Sequence, residues 1–237
     1  MRIALLYFGK TRSIRKTYNS HFEHIYEPLK AAGIDYDIYL HTWKTNDNMI
    51  WDKECNVPND DEEYKLLNPE FYRQDVQAEF QASFDFSSYF DKEIWDQHGD
   101  NRYYGEWRPQ MVMNHLCALE SERRVFQMCE DTGRTYDYYI VLRPDALFTM
   151  SLNLKDFLGL DETSIAIPEW KWYEGYNDRF AIGKKETIRR YTNRGRDLAE
   201  FRKTHGRIVA EKNLKLALDK YRIVVKPIKL HFDLCRP

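Results

Sequence analysis

The feature that most constrains this sequence is a short apolar run, Tyr138 to Leu142, followed directly by Arg143, Pro144 and Asp145. A run of this length that is apolar at every position is typical of a β-strand buried on both faces of a sheet. Pro144 fixes one backbone angle after the strand and stiffens the loop that follows. In open α/β sheets, ligands bind outside the carboxyl ends of the strands. The sequence therefore predicts a central strand with Asp145 at the sheet edge where chemistry takes place.

Elements of alternating type surround this strand and predict an α/β fold. Residues 2–8 form an apolar strand that ends at Gly9, a helix follows over 20–32, and residues 36–40 form a second strand. A strand–helix–strand unit of this kind places two parallel strands side by side with a right-handed crossover. The other predicted elements are strands at 164–167, 180–183 and 223–225 and helices at 109–131, 185–203 and 207–220.

The stretch from about residue 44 to 100 interrupts this alternation. It is rich in Asp, Asn, Glu and aromatic residues and has few aliphatic residues in sequence. Residues 52–70 predict an irregular loop with at most a short helix, and residues 69–81 favour a helix. Because so long a connection is uncommon inside a compact domain, we expect a long irregular insertion within a single domain that spans residues 1–237.

Composition argues against several classes of protein. The 237 residues include 36 basic and 38 acidic side chains, so the chain lacks the basic excess of a nucleic-acid-binding protein. The four cysteines form no C-x-x-C pair, which argues against a zinc knuckle or a disulfide framework. No stretch approaches the roughly 20 apolar residues of a transmembrane helix, and the first apolar run is too short for a signal peptide. We therefore expect a soluble cytoplasmic protein.

Polar clusters stand at three predicted strand ends. They are Gly9-Lys10-Thr11-Arg12, His41-Thr42-Trp43 and Arg143-Pro144-Asp145. If the three strands are parallel neighbours, the clusters face one crevice. Gly9 permits a close approach of backbone to ligand, and Lys10 and Arg12 supply cationic donors for phosphate oxygens. The first cluster predicts a diphosphate-binding corner, with a solvated basic turn as the alternative.

Two acids are candidates for catalytic chemistry. A carboxylate at Asp145 suits a hard divalent cation such as Mg²⁺ or Mn²⁺, whereas the alternative is an ion pair with Arg143 that closes the strand. Asp178 precedes a small apolar strand in the sequence Asn177-Asp178-Arg179. It is a candidate general base, and its alternative role is to cap a turn.

Four segments carry a resemblance to a known family. They are residues 3–13 (Ile-Ala-Leu-Leu-Tyr-Phe-Gly-Lys-Thr-Arg-Ser), 36–43 (Tyr-Asp-Ile-Tyr-Leu-His-Thr-Trp), 136–145 (Tyr-Asp-Tyr-Tyr-Ile-Val-Leu-Arg-Pro-Asp) and 177–183 (Asn-Asp-Arg-Phe-Ala-Ile-Gly). Together they resemble glycosyltransferases of bacteria, algae and large DNA viruses that are similar to GT-A nucleotide-diphospho-sugar transferases. The resemblance runs in order over most of the chain and leaves residues 44–100 uncovered.

The resemblance implies a Rossmann-like GT-A domain with a mixed, mainly parallel central sheet flanked by helices. The residues expected to bind the nucleotide sugar are Gly9, Lys10, Thr11, Arg12, Thr42, Trp43, Gln110, Arg143 and Asn177. Gln110 is included because it shares a helix face with Asn114 at a spacing of four residues. Asp178 is placed like the acid that contacts the sugar or deprotonates the acceptor.

The resemblance also implies a metal ion. Arg143-Pro144-Asp145 stands where the D-x-D motif of such enzymes holds Mn²⁺ or Mg²⁺ against the donor diphosphate, and His231 stands where some of them add a late metal ligand. The first acid of the motif is replaced here by Arg143, which leaves Asp145 as the single carboxylate. A guanidinium in that place can neutralise phosphate directly.

The leading hypothesis is transfer of a sugar from a nucleotide-diphosphate sugar, with a UDP-sugar favoured, to a hydroxyl of a glycan or glycoconjugate. Asp145 and Asp178 are the expected catalytic residues. One alternative is a sugar-phosphate nucleotidyltransferase, which the missing Gly-rich signature after the first strand disfavours. The other is a non-catalytic carbohydrate-binding protein, in which the aromatic loop 170–176 binds the ligand.

Overall fold

The computed structural model describes residues 1–11, 13–45 and 62–235. Its strands are β1 (Arg2–Phe8), β2 (Asp35–Lys44), β3 (Phe71–Val76), β4 (Tyr138–Leu142), β5 (Ala146–Phe148), β6 (Ser164–Pro168), β7 (Phe180–Gly183), β8 (Val224–Ile228) and β9 (Phe232–Leu234). Its α-helices are α1 (Ile14–His21), α2 (Glu27–Ala31), α3 (Gln77–Ala82), α4 (Lys92–His98), α5 (Pro109–Asp131), α6 (Lys185–Asn193), α7 (Leu198–His205) and α8 (Ala210–Lys220). A π-helical segment, Phe22–Tyr26, joins α1 to α2.

Seven of the strands form one central sheet in the order β3-β2-β1-β4-β7-β6-β8. β1 lies between β2 and β4 and is parallel to both, and β2 is parallel to β3. β7 runs antiparallel to both of its neighbours, β4 and β6. β5 and β9 form a separate two-stranded antiparallel sheet. The expectation of an α/β fold with a mixed, mainly parallel sheet is confirmed.

The middle of the central sheet is covered on both faces because the strands β1 and β4 are apolar and buried at nearly every position. In β1, the side chains of Ile3, Leu5 and Tyr7 pack into one hydrophobic core and those of the alternate residues into another. The long helix α5, predicted over 109–131, packs against β1 and β2. Neither α5 nor any other helix in the described ranges is both long and apolar enough to cross a membrane.

The described part of the stretch 44–100 is more regular than predicted. Residues 71–76, expected within a helix over 69–81, form the edge strand β3, and the helix α3 covers only residues 77–82. The prediction failed because three successive residues of β3, Arg73, Gln74 and Asp75, are charged or polar, as an edge strand with exposed side chains allows. β3 also extends β2 as far as Lys44, through pairs such as Trp43 with Asp75. The predictions for residues 46–61 lie outside the described residues.

Candidate functional site

A crevice opens at the carboxyl edge of the sheet, where β1, β2 and β4 end together. Phe8 pairs with His41 and Tyr7 with Leu142, so the residues that follow these three strands are neighbours. The crevice has a cavity volume of about 180 Å³ and is partly open to solvent. It is lined by Gly9, Lys10, Trp43, Gln77, Trp107, Met111, Asn114, His115, Cys117, Ala118, Arg143, Asp178, Arg179, Ala210, Glu211 and Leu234. The predicted convergence of three strand ends is confirmed.

The turn after β1 is held by a hydroxyl from α5. Gly9 adopts a φ of +93°, a conformation that glycine tolerates best. Its N–H donates a hydrogen bond of 2.8 Å to Ser121 Oγ, which also lies 2.7 Å from His41 Nδ1. Ser121 therefore fixes the ends of β1 and β2 relative to each other, and this fixed turn places Lys10 on the crevice wall.

Arg143 and Asp145 form a bidentate ion pair at the end of β4. Arg143 Nε and Nη2 each donate a hydrogen bond of 2.7 Å to a different carboxylate oxygen of Asp145. Asp145 is 1% exposed, whereas the side chain of Arg143 is 24% exposed and lines the crevice. The guanidinium also lies 5.9 Å from the centre of the Phe8 ring. The group that this strand end presents to a ligand is thus the cation, with the carboxylate behind it.

The part of the crevice beside the end of β4 carries two carboxylates that both contact one cation. Because β7 is antiparallel to β4, the residues that precede β7 lie at the same sheet edge as those that follow β4. Arg179 Nη1 lies 3.8 Å from Asp178 Oδ1, and Arg179 Nη2 donates a hydrogen bond of 3.1 Å to Glu211 Oε1. Glu211 belongs to the first turn of α8, a residue that the sequence did not single out.

The two carboxylates differ in proton affinity. Burial acts to raise the pKa of Asp178, but the positive charge of Arg179 and the contributions of His115, Arg194 and Arg143 together lower it. Burial raises the pKa of Glu211, and the neighbouring negative charge of Asp178 raises it further. Environments that move two acids apart in this way are typical of sites that transfer protons.

The proposed metal ligands Asp145 and His231 do not come together. Cys235 N–H donates to the carbonyl of Asp145, and Thr149 N–H donates to the carbonyl of His231, at 2.8 and 3.1 Å. His231 and Cys235 are four residues apart, so His231 lies about 13 Å along the strand from the position opposite Asp145. Ligands of one Mg²⁺ ion lie about 2 Å from it. No group of three or more His, Cys, Asp or Glu side chains in the described ranges could hold a metal, so the residues present do not fit the implied cation.

Several other residues predicted to bind the nucleotide sugar do not line the crevice. Thr11, Thr42 and Asn177 are buried and do not line the crevice. Asn177 Nδ2 donates a hydrogen bond of 3.1 Å to the carbonyl of Trp170, and its Oδ1 accepts one of 3.0 Å from Arg179 N–H, so it shapes the loop before β7. Gln110 is exposed and donates to Asn114, which does line the crevice. Arg12 lies outside the described residues.

A second face of α5 contributes side chains that the sequence analysis missed. Met111, His115 and Ala118, which the sequence analysis did not name, line the crevice together with Asn114, which it did. Asn114, His115 and Ala118 lie three, four and seven residues after Met111. This spacing defines one helix face and was detectable beside the apolar stripe. Burial lowers the pKa of His115 to about 4, so His115 is neutral at pH 7 and adds no positive charge to the crevice.

Comparisons with known proteins give remote structural matches alone. No protein-family model matches the chain, and no curated protein matches it. The galactosyltransferase LgtC, solved with donor and acceptor sugar analogues, is similar at a TM-score of 0.46 and 11% identity over 95% of this chain and 73% of its own. Mouse xyloside xylosyltransferase 1, in its apo form, is similar at a TM-score of 0.48 and 10% identity over 96% and 84% of the two chains.

A third match is the apo-form glycosyltransferase GlyE of Streptococcus pneumoniae TIGR4. Its TM-score is 0.41 and its identity 14%, over 94% of this chain and 44% of its own. Likenesses at this distance carry no argument about activity. The function of this chain is therefore inferred from the crevice and from the sequence resemblance.

Proposed function

We propose that this chain is a glycosyltransferase, which moves a sugar from a nucleotide-diphosphate sugar to an acceptor hydroxyl. The observation that carries the proposal is the arrangement of charge in one crevice. The cations Lys10 and Arg143 stand at the ends of β1 and β4, and the carboxylates Asp178 and Glu211 line the same crevice, with Asp178 beside the end of β4. Cations at adjacent strand ends suit a diphosphate, and a carboxylate next to them suits an acceptor hydroxyl.

The chemistry requires one leaving group and one proton acceptor. In the inverting version, the acceptor oxygen forms a bond to the anomeric carbon while the bond from that carbon to the diphosphate breaks. The nucleoside diphosphate leaves with the bonding electron pair, and Lys10 and Arg143 stabilise its growing negative charge. The proton of the acceptor hydroxyl moves to the carboxylate of Glu211 or Asp178. We favour a UDP-sugar as donor and a glycan or glycoconjugate as acceptor.

The first prediction concerns the nucleotide. We expect UDP or GDP to raise the melting temperature of the full chain, because a ligand that binds only the folded state stabilises it. A panel of UDP- and GDP-sugars, with and without Mn²⁺, is then monitored for slow donor hydrolysis. A carbohydrate-binding protein without transferase activity would bind glycans but no nucleotide. If no nucleotide or nucleotide sugar shifts the melting temperature under either condition, the proposed function is wrong.

The second prediction concerns the base. Glu211 is favoured over Asp178, because a carboxylate with a raised pKa accepts a proton more readily near neutral pH. Glu211→Gln is expected to lower kcat about 100-fold or more while leaving the dissociation constant for UDP nearly unchanged. The rate of the wild-type enzyme should rise with pH as Glu211 loses its proton, at a pH above the ordinary carboxyl value of 4.5.

Asp178→Asn is the comparison for this variant. It removes a charge from the same wall, and we expect it to retain the acid limb of the pH–rate profile. Retention of that limb in Glu211→Gln, together with its loss in Asp178→Asn, would assign the base to Asp178 instead.

A further inference from the structure

We propose that the Arg143 guanidinium, held by Asp145, occupies the place of a divalent cation, so that this crevice binds nucleoside diphosphates without metal. The inference rests on the proposed function and specifies its chemistry. It concerns the charge that meets the diphosphate and is independent of which carboxylate acts as base.

The carboxylate of Asp145 is already bound by Arg143 and is not available to a metal ion. Each of its two oxygens accepts a hydrogen bond of 2.7 Å from Arg143, and charge-assisted bonds in this paired geometry are among the strongest in proteins. Asp145 is 1% exposed, so a cation can reach these oxygens only by displacing the guanidinium. Such a displacement would leave two positive groups side by side at the end of β4, and like charges at that distance repel each other.

Arg143 is oriented towards the ligand. A guanidinium has five N–H donors, and the bidentate pair uses one at Nε and one at Nη2. The other edge of the group, at Nη1, points away from Asp145, and the side chain is among those that line the crevice. The centre of the Phe8 ring lies 5.9 Å from the guanidinium. Arg143 is therefore a fixed cation with N–H groups left for phosphate oxygens.

The remaining carboxylates of the crevice offer no better cation site. Asp178 and Glu211 are each in contact with Arg179, at 3.8 and 3.1 Å. A divalent ion at either acid would again meet a guanidinium. Lys10 lines the crevice near the end of β1, so the strand ends β1 and β4 bring two permanent positive charges to one ligand. Both groups lie at adjacent strand ends, where the two phosphates of one ligand can contact them.

The test is calorimetric titration of the full chain with UDP and with GDP, once in EDTA and once in Mn²⁺. We expect the dissociation constant of the better-bound nucleotide to differ by less than threefold between the two conditions. Arg143→Lys keeps the charge but loses the bidentate geometry, and should weaken binding at least tenfold in EDTA. Lys92→Gln, which alters an exposed side chain of α4 away from the crevice, is the control and should bind as the wild type does.

A second variant separates binding from folding. Arg143→Gln/Asp145→Asn removes both charges together and leaves no unpaired ion in the protein. We expect it to melt within a few degrees of the wild type and to lose nucleotide binding by at least tenfold. Two results would overturn the inference while the proposed function stands. One is wild-type binding that tightens more than threefold on addition of Mn²⁺, and the other is a double variant whose binding weakens by less than tenfold. Absence of nucleotide binding in both EDTA and Mn²⁺ would overturn the two together.

Discussion

Asp145→Ala should lower the free energy of unfolding by about 3 kcal/mol, at the low end of the range for a broken buried ion pair, and should abolish nucleotide binding. The carboxylate is almost fully buried, and its removal leaves the Arg143 guanidinium without its bidentate partner. Arg143 keeps 24% exposure of its side chain, so water offsets part of the loss. For a chain of this length we expect a fall in melting temperature of about 9 °C.

The binding defect arises from orientation. Without Asp145 the guanidinium is free to leave the crevice wall, and its N–H groups no longer meet the diphosphate in a fixed geometry. The measurements are urea denaturation for stability and calorimetric titration with UDP at a temperature where the variant is folded. Asp145→Asn preserves shape and one acceptor oxygen, and should show a smaller defect in both. A folded Asp145→Ala variant that binds UDP as tightly as the wild type would remove this pair from the site.

Glu122→Ala should cause the largest loss of stability, about 4 kcal/mol. Glu122 on α5 and Arg194 after α6 form an ion pair whose side chains are 1% and 2% exposed. Removal of the Glu122 carboxylate leaves the Arg194 guanidinium buried and without an anionic partner. Arg194 still donates a hydrogen bond of 2.8 Å to the carbonyl of Tyr191, but a neutral carbonyl does not balance its charge.

Two comparison variants test this explanation. Glu122→Leu/Arg194→Met replaces both charges by apolar groups and should recover most of the lost stability, because a buried pair contributes little beyond an apolar pair of equal size. Asp96→Ala breaks the exposed pair with Lys92 and should cost less than about 1 kcal/mol. The measurement is the urea midpoint of each variant. A single Glu122→Ala variant that unfolds at the wild-type midpoint would contradict the assignment of a buried charge pair.

The parts of the site that depend on local pattern were predictable from the sequence. Apolar runs identified β1, β2 and β4, and the strand–helix–strand unit predicted that β1 and β2 are parallel. From these, the meeting of Gly9, Trp43 and Arg143 at one edge follows, because parallel strands end at the same edge. The mutual contact of Arg143 and Asp145 also follows, since residues two apart in an extended segment point to the same side.

Other parts depend on tertiary contacts that leave little trace in sequence. β3 is polar, and its strand conformation depends on pairing with β2 rather than on its own composition. Glu211 reaches the crevice because α8 packs beside the loop before β7, where Tyr176 N–H donates to the Glu211 carbonyl at 3.1 Å. The family resemblance implied that His231 and Asp145 bind one metal ion. Their separation is visible only from the pairing of β5 with β9.

The reversed direction of β7 has a consequence for how such a site can diversify. The cations follow the carboxyl ends of β1 and β4, whereas Asp178 precedes the amino end of β7. Residues 169–179 join β6 to β7 and are separate in sequence from the turns that carry Lys10 and Arg143. Insertions or deletions in this connection can therefore shift Asp178 while Lys10 and Arg143 stay at the ends of β1 and β4.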